Sequence, residues 1–335
     1  MYKKYTVEER CRKILEDNGG AVADKARTIL LEDRALKDLR APLEFISKNW
    51  RDLTPALTRL SCEAVGGQPD VANDVALAMC LMHLSFYVWD DMIDNAHSKT
   101  FKPTLVGKFG GGTSLIIGGL ASAKAFSILN EMDMEKTKRQ TITRLVWRLW
   151  TQMARAETVA ARLRSKKRFS HEKKMWKIKM EAIDLETCLR IGAIIGKGSE
   201  NEIYHLGKYG FYLGVIVALR NDFRVSVNLT LELTEKIRSG RLPYSLLWAC
   251  DQSEKLQRKT EKLIDANRIE KTQIKEIVQD TLDTQVLDHI AKNITRYSKK
   301  AKGELFYLKK NNTTYALKSL VDFQPRLFRE GLSML

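Results

Sequence analysis

The chain has 335 residues, with 57 Lys and Arg against 41 Asp and Glu, a formal charge of +16 near neutral pH. Hydrophobic residues make up 44%, enough for a sizeable core, and with no run of about 18 uncharged apolar residues a membrane-spanning segment is not expected. The basic surplus suits an anionic partner, namely nucleic acid, an acidic membrane surface or a phosphate-bearing substrate. No zinc-finger, helix-turn-helix or RNA-binding aromatic signature accompanies it, so nucleic acid is not expected, while peripheral contact with anionic lipid stays open. The N-terminal residues mix charges with apolar side chains and lack a signal-peptide core, which points to the cytoplasm. The five cysteines, Cys11, Cys62, Cys80, Cys188 and Cys250, have no metal-ligand spacing and are expected as reduced thiols.

Six prolines and long stretches of helix formers favour helices over sheets. Breakers divide the chain at Gly19-Gly20, Gly66–Pro69, Asn95–Pro103, Gly110–Gly112, Gly196–Gly198, Gly240 and Asn311-Asn312. Residues 1–20 are expected to be a loosely ordered N-terminal segment. About ten helical stretches follow with no tandem repeat. Val71–Asp94 reads as one helix, apolar on most sides from Val75 to Trp89 and hence central. Ile203–Val225 reads as a second. Basic runs at Arg162–Lys174 and Lys299–Lys310 suit solvated helix faces. The expected fold is all-α, a single bundle of long helices over residues 1–335.

Acid at the end of the first apolar helix is the informative feature. Asp90, Asp91 and Asp94 close it; Asp90 and Asp94 lie one turn apart on one face. Like charges so placed repel, and a hard cation reverses that sign; magnesium on carboxylates keeps positions open for phosphate oxygens. On spacing alone a helix end fraying into solvent accounts for the acids equally well.

The sequence DDMID, followed by Asn95–Lys99 and Lys102-Pro103-Thr104, resembles the first aspartate-rich region of trans-prenyl diphosphate synthases. Pro55–Gly67, His83, Phe109–Phe126 and Gly207–Asp222 resemble further family segments in the family's order, over roughly residues 40–250. The resemblance implies a helical bundle around a deep apolar cavity with metal at its mouth. It also implies an allylic prenyl diphosphate substrate, Mg2+ (three ions with substrate bound) and a homodimer.

The sequence departs from that family in its second half-site. The basic Gly-Lys-Arg-x-Arg-Pro motif falls on Trp50-Arg51-Asp52-Leu53-Thr54-Pro55, and the two arginines after the first motif fall on Lys99 and Thr100. Each lost charge-assisted bond to a second diphosphate forfeits about 1.5–3 kcal/mol. The second aspartate-rich motif reads Asn221-Asp222-Phe223-Arg224-Val225, which resembles the opening of terpene-cyclase motifs, with Ser226 and Thr230 in a shifted register. The expected metal set is therefore Asp90, Asp91, Asp94, Asn221, Asp222 and Ser226. Substrate contacts are expected from Lys179, Thr187, Arg220, Phe86, Ser85, Phe211, Arg296 and Tyr297, with Tyr87, Trp89 and Tyr212 as further cavity walls. An ionising half without a basic acceptor half implies a class I terpene synthase acting on a C15–C20 prenyl diphosphate. Chain elongation with isopentenyl diphosphate, or prenyl transfer to another acceptor, is the alternative.

Overall fold

A computed structural model describes residues 6–50, 52, 54–99, 102–165, 170–227, 231–264 and 266–332. Among these the chain is all-α. In order the helices are α1 (Val7–Thr28), α2 (Arg40–Asn49), α3 (Thr54–Ala64), α4 (Asn73–Ile93), α5 (Leu105–Glu131), α6 (Lys136–Ser165), α7 (His171–Glu181) and α8 (Ile183–Ile195). Then come α9 (Glu200–Val227), α10 (Leu231–Arg238), α11 (Tyr244–Gln252), α12 (Glu254–Leu263), α13 (Lys271–Leu282), α14 (Val286–Glu304) and α15 (Asn312–Leu332). A two-residue hairpin, β1 (Ser98–Lys99) with β2 (Lys102–Pro103), links α4 to α5.

From Thr6 on, the N-terminal segment is helical where loose order is expected. Thr6 caps α1 in a reciprocal box: its hydroxyl accepts from the Glu9 amide while Glu9 accepts from the Thr6 amide at 2.7 Å. Gly19 and Gly20 lie inside the helix. A Cβ on Gly19 would sit 2.4 Å from the Ala56 nitrogen, so this glycine lets α1 lie against α3 and does not break the chain. Other breakers act as expected: Gly66 and Gly240 take positive φ at helix ends, and Asn311 accepts from the Thr314 amide as α15 begins. Gly110, at φ 81°, kinks α5 without ending it.

Helix α4 is central because its sequence has no polar face to offer water: Val75 through Met82 are each no more than 2% exposed. Both α4 and α5 are long and apolar enough to cross a membrane by length and composition, contrary to the expectation drawn from uncharged runs. Packing accounts for α4, whose apolar window is 72% buried in the protein, whereas that of α5 is 39% buried. A second apolar cluster joins α9 to α14 through Tyr209, Leu213, Ile216, Ile290 and Ile294. All five cysteines are buried free thiols.

Helices α8 and α9 approach closely at glycine. A Cβ on Gly210 would lie 2.5 Å from the Leu185 carbonyl oxygen, whereas one on Gly119 of α5 meets nothing within 4 Å. Gly210→Ala is therefore expected to destabilise by about 1–3 kcal/mol through overpacking. Gly119→Ala is expected to stabilise by about 0.5–1 kcal/mol through helix propensity. Denaturant unfolding of both variants checks the contrast.

Candidate active site

A cavity of about 630 Å³ opens between α4, α6, α7, α8, α9 and α10, within the range of small-molecule sites. Its mouth is polar and one wall is aromatic. Phe86 and Trp89 of α4 meet Trp150 of α6, with ring centroids 4.8 and 5.1 Å apart respectively, and Met153 extends this wall. Tyr87 lies nearer the charged mouth, with the Lys99 ammonium 5.3 Å from its ring centre.

The acids at the end of α4 divide by burial. Asp90 and Asp94 line the cavity, whereas Asp91, one residue or about 100° on, is 0% exposed and outside the lining. Three carboxylates at the negative end of a helix dipole need cations nearby. Lys99 supplies one, 3.1 Å from Asp90 Oδ2 and 2.5 Å from Asp91 Oδ1. Lys236 lies 3.0 Å and Arg241 2.9 Å from Asp94. Burial raises the pKa of Asp90, but Lys99, Lys177 and Lys236 outweigh it and hold the carboxyl below its usual range. Asp94 is likewise lowered, since Lys236, Lys177 and Arg241 overcome burial and the neighbouring Asp90. Burial dominates at Asp91, whose pKa rises to about 6.

Across the cavity α9 presents Ala218, Asn221, Asp222, Arg224 and Val225. Asp222 Oδ2 accepts from the Ser245 amide at 3.2 Å and its hydroxyl at 3.1 Å, which ties this carboxylate to the start of α11. From α7, Lys174, Lys177, Ile178 and Glu181 face inward at helical spacing. Lys177 Nζ lies 2.7 Å from Glu157 and 2.8 Å from Glu181. Burial opposes its charge, but Glu181, Asp90 and Glu157 raise its pKa well above normal.

Two turns before Asp90, His83 Nδ1 lies 2.7 Å from Asp52 Oδ1, and Nε2 lies 3.3 Å from Asp184 Oδ2. Asp52 also accepts from the Thr54 amide at 3.0 Å and its hydroxyl at 2.5 Å. Burial alone would lower the His83 pKa; the two carboxylates reverse this and bring it to about 10. Asp52 is held below the usual range because His83 outweighs its burial.

Several expected site residues lie elsewhere. Asp91 is buried, paired with Lys99 and outside the cavity lining. Ser226 is buried outside the cavity lining and hydrogen-bonds Ser245 Oγ at 2.6 Å, so it supports the Asp222 anchor. Lys179 is displaced by Lys177, two residues or about 200° away on α7. Thr187 is buried in α8 outside the lining. Arg220 donates to Gln324 of α15 at 2.9 Å. Ser85 is buried, donating to the Gly118 carbonyl at 2.8 Å. Phe211 and Tyr212 pack together outside the cavity, Tyr297 joins the α9–α14 core, and Arg296 is exposed. Phe86, Tyr87 and Trp89 line the cavity as expected. Arg51, Leu53, Thr100 and Thr230 lie outside the described residues. Sequence reasoning misses Trp150, Lys177, Glu157, Glu181, Asp184 and Lys236. Of these only the α7 group carries a local signal, its i, i+3, i+4, i+7 spacing.

Among the described residues no group of three or more His, Cys, Asp and Glu converges as a preformed metal centre. The facing pairs Asp90/Asp94 and Asn221/Asp222 nonetheless offer hard oxygen donors on opposite walls. That donor set fits a hard divalent cation completing its shell with phosphate oxygens.

Residues 37–281 match the Polyprenyl synthetase family, and the chain belongs to it. A short chain isoprenyl diphosphate synthase of Methanothermobacter thermautotrophicus is 27% identical over 187 residues, covering 55% of this chain and 57% of its own length. Geranylgeranyl pyrophosphate synthase 12 of Arabidopsis thaliana is 27% identical over 238 residues, covering 64% and 66%. The matched region thus spans less than two thirds of either relative. In fold the chain resembles a polyprenyl synthase of Caulobacter crescentus complexed with calcium and isoprenyl diphosphate (TM-score 0.83, 20% identity, 97% and 99% coverage). It also resembles a geranylgeranyl pyrophosphate synthetase of Pyrococcus horikoshii (TM-score 0.80, 22% identity, 95% and 98% coverage). Relatives named as prenyl diphosphate synthases favour the transferase alternative over the terpene synthase expected first.

The raised His83 pKa carries a sign. Its stabilising contribution is full below about pH 6.5, the unfolded value, and is lost as pH rises toward and through about 10. The lowered Asp52 contributes above its ordinary value of 3.8 and less below it. The stability difference between wild type and His83→Gln, measured by denaturant unfolding, is expected to be flat between pH 5 and 6.5 and to shrink toward pH 10.

Proposed function

We propose that the chain is a metal-dependent prenyltransferase that ionises an allylic prenyl diphosphate and joins its prenyl group to a second, unsaturated molecule. The carrying observation is the cavity itself, with Asp90 and Asp94 facing Asn221 and Asp222 at its mouth and an aromatic wall of Phe86, Trp89 and Trp150. Family membership and the names of the relatives support the same reaction class.

The residues divide the work. The Lys99, Lys177 and Lys236 ammonium groups hold positive charge beside the carboxylates, where the leaving diphosphate gains negative charge. Asp90, Asp94, Asn221 and Asp222 would hold magnesium, expected as three ions, which would supply further charge neutralisation there. The allylic C–O bond breaks with its electron pair going to the diphosphate. The π electrons of the acceptor then form the new C–C bond, and a proton leaves the acceptor. Phe86, Trp89 and Trp150 exclude water and face the cation with π density.

Intramolecular capture of the cation, the terpene synthase reaction, is a second reading, favoured by Asp52 within the motif where the family carries cations. The proposal includes a cytoplasmic homodimer with at most peripheral membrane contact. Leu115, Ile116 and Phe126 of α5 and Trp147 of α6 are exposed apolar side chains suited to a second copy.

Calorimetry with a farnesyl or geranylgeranyl thiodiphosphate is expected to show magnesium-dependent binding. Pyrophosphate release from the true diphosphates is expected to fall about a hundredfold or more in Asp90→Ala and Asp94→Ala. Absence of binding with every prenyl length, or full turnover in both variants, overturns the proposal. Lys177→Ala is expected to lose about tenfold or more in turnover and Lys179→Ala to match wild type, which steady-state kinetics reads directly.

A further inference from the structure

The Asp52–His83–Asp184 cluster is larger than ionisation of one diphosphate requires. It lies two turns deeper on α4 than Asp90, about 10 Å along the helix axis. His83 and Asp184 line the cavity. Asp52 is fully buried at the side chain and His83 is 34% exposed, so the carboxylate backs the ring and the ring meets the cavity. Both ring nitrogens are occupied, one by each carboxylate. What the imidazole offers a ligand is therefore carbon, and an incoming phosphate finds no N–H to take without displacing Asp184.

The surrounding charge points the same way. The cluster sets two carboxylates around one imidazole, and burial raises the pKa of Asp184 while His83 lowers that of Asp52. Of the two α7 lysines that line the cavity, Lys177 is already held by Glu157 and Glu181, and Lys174 lies further from Asp184 along the chain. Lys99 and Lys236 are held by Asp90, Asp91 and Asp94 at the mouth. A second diphosphate needs converging cations with open donors, and among the described residues this end of the cavity presents the carboxylates of Asp52 and Asp184.

We propose, resting on the prenyltransferase reading, that Asp52, His83 and Asp184 form an acceptor subsite of reversed charge that takes an uncharged or cationic unsaturated nucleophile and rejects a second diphosphate. The ligand class is an alkene or electron-rich ring bearing O–H or N–H donors, which hydrogen-bond to the Asp184 carboxylate. In the reaction the allylic C–O bond breaks, the acceptor's π pair forms the C–C bond, and the proton from the acceptor carbon passes to the departing diphosphate. Asp52 acts through His83 and is a positioning residue.

The test uses the full chain with magnesium and its donor half filled by farnesyl or geranylgeranyl thiodiphosphate. Three probes of one carbon skeleton are then titrated: isopentenyl diphosphate, isopentenyl alcohol and protonated isopentenyl amine. The amine is expected to bind at least tenfold more tightly than the diphosphate. In Asp184→Asn, and independently in Asp52→Asn, the preference is expected to shift at least tenfold toward the diphosphate, with thermal melting confirming that each variant is folded. A cluster that only braces α4 against α8 shifts stability and leaves the order of probes unchanged, which overturns the proposal. Tighter binding of isopentenyl diphosphate by wild type also overturns it and assigns ordinary chain elongation. Failure of the thiodiphosphate itself to bind is read in the first titration and removes both this inference and the prenyltransferase reading.

Discussion

Repulsion among carboxylates at the end of a buried helix organises this molecule. An apolar α4 can occupy the centre of the bundle, but its last turn carries Asp91 into a fully buried position and Asp90 and Asp94 to the partly exposed mouth of the cavity. Charges so placed persist when neighbours repay the lost solvation. The hairpin after α4 supplies Lys99, α10 supplies Lys236 and α7 supplies Lys177, so three elements distant in sequence converge on one helix end. The cavity is the space these elements enclose, and its electrostatics follow from the same balance.

What is legible in the sequence follows from periodicity. A 100° step per residue puts Asp90 and Asp94 together, whereas the burial of Asp91 depends on how α4 is packed, since Trp89, one step from Asp90 the other way, does line the cavity. The α4 and α9 helices fall within two to three residues of their expected bounds because long apolar runs leave little choice of partner. Lys179 illustrates the limit. Helix α7 is identifiable as helical, but which of its lysines faces inward depends on how α7 rolls against α6 and α9. Packing sets that angle, and the short basic sequence does not encode it.

Asp52 marks a different limit. Its charge change within a motif is visible in the sequence, and its physical meaning is not, because the partner His83 lies 31 positions away. Read as a lone substitution, it only weakens anion binding. Paired with His83 and Asp184, it becomes part of a compact charged unit inside the protein. The two glycines at 19 and 20 mislead for a related reason. Glycine marks either a place where a chain turns or a place where two backbones meet, and only the presence of α3 beside Gly19 distinguishes the two.

The aromatic wall is shared between helices of different duty. Phe86 and Trp89 ride on the same helix as the acids, while Trp150 and Met153 come from α6, which carries none of the aspartates at the mouth. Hydrocarbon room can thus be enlarged or reduced from α6 without rotating the carboxylates on α4. Fit to the lipid tail and grip on the leaving group reside on separable parts of the scaffold, which lets one drift in evolution while the other is held constant.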